Sequence, residues 1–108
     1  MDLIQTSIQN CFIIEPLIIK DSRGSFIKTF HKNTFKEKGL QTSFSEDYYS
    51  TSKKGVLRGF HFQSPPYEHV KLVYCIFGAV LDVILDLRIN STTYGKHYIC
   101  ELSAENSN

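Results

Sequence analysis

Hydrophobic and polar positions along the chain change over in short runs, and few runs are long enough for a helix. Phe12 to Lys20 is apolar and β-branched but interrupted by Pro16, which predicts two short strands or one edge strand. Asp21-Ser22-Arg23-Gly24 predicts a turn, because Asp can fold back on its own backbone and Gly accepts positive φ. Ser25 to His31 alternates, with Phe26, Lys28 and Phe30 on one face. Asn33 to Lys38 predicts one helical turn, capped by Asn33 and ended by Gly39. Phe44 to Ser52 predicts a strand that runs into the turn Ser52-Lys53-Lys54-Gly55, and Val56 to Gln63 predicts the next, stopped by Ser64-Pro65-Pro66. Lys71 to Phe77 and Ala79 to Leu87, joined at Phe77-Gly78, predict a hairpin. In its second strand Leu81, Val83, Leu85 and Leu87 form the expected core face, and Val80, Asp82, Ile84 and Asp86 a mixed face suited to a polar cavity. Asn90 to Gly95 predicts a turn and Lys96 to Leu102 a last strand, with Ser103 to Asn108 small, polar and without a strand. Repeated short strands with Gly and Pro turns predict an all-β antiparallel sandwich or barrel.

Length bounds this to a single domain over residues 1–108, of 12.4 kDa. Hydrophobic residues at 42% and charged residues at 21% are ordinary globular usage, which excludes a disordered, collagen-like or coiled-coil chain. A net charge of +1 provides no broad field for nucleic acid or an anionic membrane, so any anion site has to be local. Cys11, Cys75 and Cys100 are an odd count without close spacing; they predict neither a disulfide framework nor a metal or redox CxxC, and point to the reduced cytoplasm. The first residues lack the basic and apolar regions of a signal peptide. The most apolar stretch, Leu72 to Leu87, is broken by Gly78, Asp82 and Asp86, so no membrane span is expected.

The candidate chemistry concentrates in Gly55-Val56-Leu57-Arg58-Gly59-Phe60-His61-Phe62-Gln63, followed by Glu68, His69 and Lys71 and, later, Asp82 and Asp86. One chemistry these residues could build is a metal site: Gly55, His61 and Glu68 resemble the first metal motif of the cupin superfamily. Gln63 stands where its second histidine would be, and an amide oxygen is a poor ligand for first-row metals. The other is metal-free proton transfer, with His61 as general base, Asp82 or another acid as its orienting partner, and Lys71 stabilising an enolate. Each of these residues alone reads as an ordinary satisfied or solvated side chain; the combination is what suggests a site. Arg23 and Lys28 read either as anion contacts or as solvated turn and strand cations. Simple alternation cannot turn Arg58 and His61 to one face, and a bulge at Gly59 would resolve the conflict.

Arg23-Gly24-x-Phe26, the Gly55–Gln63 stretch, Lys71-Leu72-Val73, Asp82-Val83, Asp86-Leu87-Arg88 with Ser91, Thr93-Tyr94-Gly95-Lys96, and Leu102-Ser103 with Asn106 follow one another in the order of a known family. The chain resembles dTDP-4-dehydrorhamnose 3,5-epimerase and its sugar-nucleotide epimerase relatives over nearly its whole length. The resemblance implies a cupin jelly-roll barrel, a homodimer with exchanged strands, and no metal or organic cofactor. It implies 3,5-epimerisation of a nucleotide-linked 4-keto-6-deoxyhexose in deoxysugar and surface-polysaccharide synthesis. His61 matches the base, Lys71 the lysine near the sugar and its enolate, Arg58 and Arg23 contacts to the substrate, chiefly its diphosphate, and Asp82 a motif position. The family's chain continues further and supplies there a tyrosine acid, a second histidine and the last strands, so an incomplete barrel is expected here. Two positions depart from the family pattern. Glu46-Asp47-Tyr48 stands where Gln-x-Asn would contact the nucleotide, and Lys28 stands where a Glu is usual, which leaves dTDP, CDP or another nucleotide open. The competing readings are a truncated, non-catalytic cupin-like module that binds a nucleotide sugar, and a metal-dependent cupin enzyme.

Overall fold

The computed structural model describes residues 1–106. They contain six strands and one short helix: β1 (Asp2–Gln5), β2 (Phe12–Glu15), β3 (Ile18–Asp21), β4 (Gly24–Ile27), α1 (Lys32–Glu37), β5 (Ala79–Leu85) and β6 (His97–Ser103). The strands pair antiparallel as β1–β2, β3–β4 and β5–β6. The chain divides into two compact units, one formed by residues 1–29 with the chain from Val73 onward, the other by Phe30–Leu72.

Several elements form as the local sequence dictates. Pro16 cannot donate to a ladder, and β2 and β3 stop and start on either side of it. The β3–β4 hairpin closes with Asp21 opposite Gly24, and Asp21 Oδ1 accepts the Arg23 backbone N–H at 2.8 Å. In β5–β6 the register runs from Ala79 opposite Ser103 to Leu85 opposite His97. Bonding between the two arms continues past Leu85, where Asp86 donates to Lys96 O (3.0 Å) and Gly95 to Asp86 O (2.8 Å). β1, on which the pattern was silent, is held by β2 from Asp2 opposite Glu15 to Gln5 opposite Phe12.

The second unit keeps little regular structure. Helix α1 starts two residues earlier than Asn33-capping predicts: extended His31 is the cap, its Nδ1 accepting the Thr34 N–H at 3.4 Å. Gly39 ends the helix region in the left-handed conformation (φ 70°), as expected. Phe35, 2% exposed, packs edge-on to Phe30 (centroids 4.8 Å), which meets Phe44 in the same way (5.6 Å). The strands expected over 44–52, 56–63 and 71–77 do not form, and the hairpin at Phe77-Gly78 is replaced by the β5–β6 pairing. A strand is held by its ladder, and among the described residues no segment pairs with these stretches; apolar alternation is not sufficient by itself.

Burial along residues 79–87 also departs from expectation. Leu81 on the anticipated core face is 71% exposed, whereas Asp86 on the polar face is 3% exposed. The buried apolar residues are few, with Ile8 and Leu102 in the first unit and Phe35 in the second. The accessible surface is 9164 Å², against about 6100 Å² for a typical folded monomer of this mass. Much apolar surface therefore faces water, including Leu57 and Phe77 at above nine-tenths exposure.

Candidate active site

The turn after Ser52 forms where Lys53 O accepts the Val56 N–H (3.3 Å) and Gly55 takes a positive φ of 82°. It returns the chain so that Arg58 lies against the residues just before it. Arg58 Nε donates to Ser52 Oγ at 2.9 Å and Nη2 to Thr51 O at 3.2 Å. At Gly59 the backbone leaves the extended region (φ 113°) between Arg58 and His61, where their conflicting alternation required a break. With no ladder on either side it is a kink in an irregular segment and not a β-bulge.

His61 is exposed, and Lys71 reaches it across the Pro65-Pro66 turn: Lys71 Nζ donates to the His61 carbonyl at 3.4 Å. The long distance makes this a weak bond, but it places an ammonium beside the backbone of the candidate base. Glu46 and Tyr48 lie in irregular exposed chain, Tyr48 at 80% exposure. Arg58, His61, Lys71, Glu46 and Tyr48 all belong to the Phe30–Leu72 unit.

The remaining predicted site residues lie in the other unit. Arg23 is at the tip of the β3–β4 hairpin and its guanidinium pairs with Asp21 at 2.6 Å. The side-chain bond from Arg23 holds the Asp21 carboxyl below its usual range. Both groups are exposed, so the pair adds little to stability. Lys28 follows the end of β4 and is exposed. Asp82 is half-buried in β5, opposite Cys100 in β6. Burial, then the charges of Asp82 and Cys11, push the Cys100 thiol upward. No cluster of three or more His, Cys, Asp or Glu side chains that could hold a metal occurs among the described residues. No helix there is long and apolar enough to cross a membrane.

A polar cluster around Asp86 was visible in the sequence only as a motif. The Asp86 carboxylate accepts from Arg88 Nε and Nη2 (both 2.8 Å), the Arg88 backbone N–H (3.0 Å), and the Ser91 and Thr93 hydroxyls (both 2.6 Å). The Arg88 guanidinium foremost, aided by the hydroxyls, holds its carboxyl well below the usual carboxylate range despite burial. Gln9 ties the β1–β2 loop to this cluster: its side-chain oxygen accepts from Thr92 N and Thr92 Oγ1, and its carbonyl from Arg88 Nη2 at 2.6 Å. The spacing Asp-x-Arg, Ser-x-Thr was the available signal; that the acid is buried and acts as a clamp depends on a loop almost eighty residues earlier in the chain.

This arrangement of strands is that of solved sugar-nucleotide epimerases. An epimerase structure from Elizabethkingia anophelis superposes with a TM-score of 0.90 at 47% identity, over 98% of this chain and 58% of that one. One from Bacillus anthracis, with TDP and pyrophosphate bound, gives 0.92 at 34% identity, over 98% of this chain and 61% of that one. The fold is thus all-β, the N-terminal part of a cupin jelly roll, in the class of cupin-type epimerases. The family model for dTDP-4-dehydrorhamnose 3,5-epimerase matches residues 5–108. The enzyme of that name from Shigella flexneri is 45% identical over 107 residues, or 98% of this chain and 59% of its own length. The chain belongs to the dTDP-4-dehydrorhamnose 3,5-epimerase family, and it spans about three-fifths of the length of the curated relatives it matches.

Proposed function

We propose that the chain serves cofactor-independent 3,5-epimerisation of a nucleotide-linked 4-keto-6-deoxyhexose, of the dTDP-4-dehydro-6-deoxyglucose to dTDP-4-dehydrorhamnose type. A proton next to the C4 ketone is taken by His61 and the resulting enolate is stabilised by Lys71. The family resemblance assigns substrate contact, chiefly the diphosphate, to Arg58 and Arg23, the nucleotide end to Glu46 and Tyr48, a further substrate contact to Lys28, and a motif carboxylate to Asp82. The observation that carries this reading is the Lys71 ammonium beside His61, on an Arg58-Gly59-x-His61 stretch that matches the family. A related structure from Legionella pneumophila, 38% identical with a TM-score of 0.86, is a complex with dTDP-4-keto-L-rhamnose. It covers 98% of this chain and 56% of the other.

The working form is a cytoplasmic homodimer. Exposed Leu57, Phe60, Phe62 and Phe77 and the strandless backbone over 44–78 favour association with a second copy, which would cover apolar surface and supply ladder partners. The resemblance assigns the tyrosine acid to the part of the relatives that this chain does not span. The 108-residue polypeptide by itself is therefore expected to exchange protons slowly without inverting the centres.

The test is NMR of the 4-keto-sugar nucleotide in D2O with the 108-residue chain, together with a dTDP titration. Deuterium entering C3 and C5, with saturable dTDP binding, supports the epimerase reading. Binding without exchange selects the non-catalytic nucleotide-sugar-binding module. Neither binding nor exchange overturns both.

A further inference from the structure

Resting on the diphosphate role proposed for Arg58, we propose that Ser52 is a positioning residue whose hydroxyl sets the Arg58 guanidinium to receive a phosphate oxygen of the nucleotide. The sequence contains three arginines, and they are held differently. Arg23 and Arg88 are each paired with a carboxylate, Asp21 and Asp86. Arg58 is held by neutral acceptors, Ser52 Oγ at 2.9 Å and Thr51 O at 3.2 Å. A neutral acceptor fixes the plane of the guanidinium without cancelling its charge, whereas a carboxylate would compete with an arriving anion. Among the described residues no protein acceptor meets Nη1, so one edge of the guanidinium keeps its donors for a ligand.

The holding contact also bears on entropy. Arg58 is exposed, and an exposed arginine has to give up rotamer freedom when it grips a ligand. The turn at Lys53–Val56 makes that ordering intramolecular, because it folds Ser52 back onto Arg58 before any ligand arrives. Lys53 and Lys54 in the same turn are exposed and add positive charge beside it. Ser52 acts only through Arg58, and only on the phosphate end of the substrate.

The experiment is calorimetric titration of the 108-residue chain with dTDP and with thymidine, for the unsubstituted protein, Ser52→Ala, Ser52→Thr, Arg58→Ala and the Ser52→Ala/Arg58→Ala pair. Loss of one exposed hydrogen bond that orders the guanidinium should weaken dTDP about three- to tenfold in Ser52→Ala. Ser52→Thr should stay near the unsubstituted value, thymidine affinity should not move, and Ser52→Ala should have no further effect once Arg58 is gone. If dTDP and thymidine weaken equally in Ser52→Ala, the serine is merely structural and the proposal fails. If Arg58→Ala weakens dTDP but Ser52→Ala does not, the proposal fails and the diphosphate reading of Arg58 stands. If Arg58→Ala leaves dTDP affinity unchanged, or the unsubstituted chain does not bind dTDP, that reading falls and takes this inference with it.

Discussion

The Asp86 cluster and the Arg58–Lys71 segment solve opposite problems. Around Asp86 a buried carboxylate, an arginine, two hydroxyls and the Gln9 carbonyl satisfy one another and join two loops at the end of the β5–β6 pair. Around Arg58, His61 and Lys71 the groups are exposed, hold few bonds, and sit on chain without a ladder. Polar groups that have found every partner rigidify a fold and have nothing left for a ligand. Polar groups with donors to spare contribute little stability and can bind one. Charged residues are found in both regions, so the number of open partners is what separates the clamp from the candidate site.

Substitution at the base tests this contrast most sharply. His61→Ala should lower deuterium exchange at C3 and C5 by roughly 10²–10⁴-fold, while the thermal midpoint stays put, because His61 is exposed. A mutant that unfolds, or that exchanges as before, would break the assignment of His61 to the reactive region.

The mirror image is Asp86→Asn. Asparagine keeps one acceptor oxygen but sets an uncharged NH2 donor against the Arg88 guanidinium and two hydroxyls that themselves donate, and a loss of about 3 kcal/mol is expected. Urea unfolding followed by circular dichroism measures it. Affinity for dTDP, corrected for the folded fraction, should be unchanged; a selective loss of binding would move Asp86 into the site.

Acid should draw down the stability that the clamp contributes, although the folded carboxyl itself holds its charge. The folded Asp86 carboxyl sits below its unfolded value, so the unfolded chain takes up the proton more readily. Its stabilisation is complete above the unfolded pKa near 4 and is lost as pH falls below that towards the lower folded value. The stability difference between the parent and Asp86→Asn should shrink by on the order of 1 kcal/mol between pH 7 and pH 3. A gap that widens on acidification would contradict the sign.

The smallest effect expected is on specificity. Carboxylate only accepts hydrogen bonds, whereas an amide also donates, so Glu46→Gln with Tyr48→Asn should shift the ratio of dTDP to CDP affinity a few-fold. Paired titrations decide it, and a dTDP preference indifferent to both changes would remove these residues from the nucleotide contact.

Turns, breaks and local caps were legible in the sequence because their causes are local. Pro16 splits β2 from β3, Asp21 and Gly24 close their hairpin, and Gly39 and Gly55 take the positive φ that their positions ask for. The ordered motifs from Arg23 to Lys96 likewise identified the family, since spacing along the chain is itself sequence information. Which apolar runs become strands was a tertiary decision: 56–63 and 71–77 alternate as well as Ala79–Leu85 does, but among the described residues only the last has a ladder partner, in His97–Ser103. The same holds for burial, where Leu81 faces water and Asp86 is enclosed. Alternation states which residues share a face, but which face is covered depends on what packs there. For Asp86 that cover includes Gln9, brought from the other end of the chain by a loop whose approach no local pattern encodes.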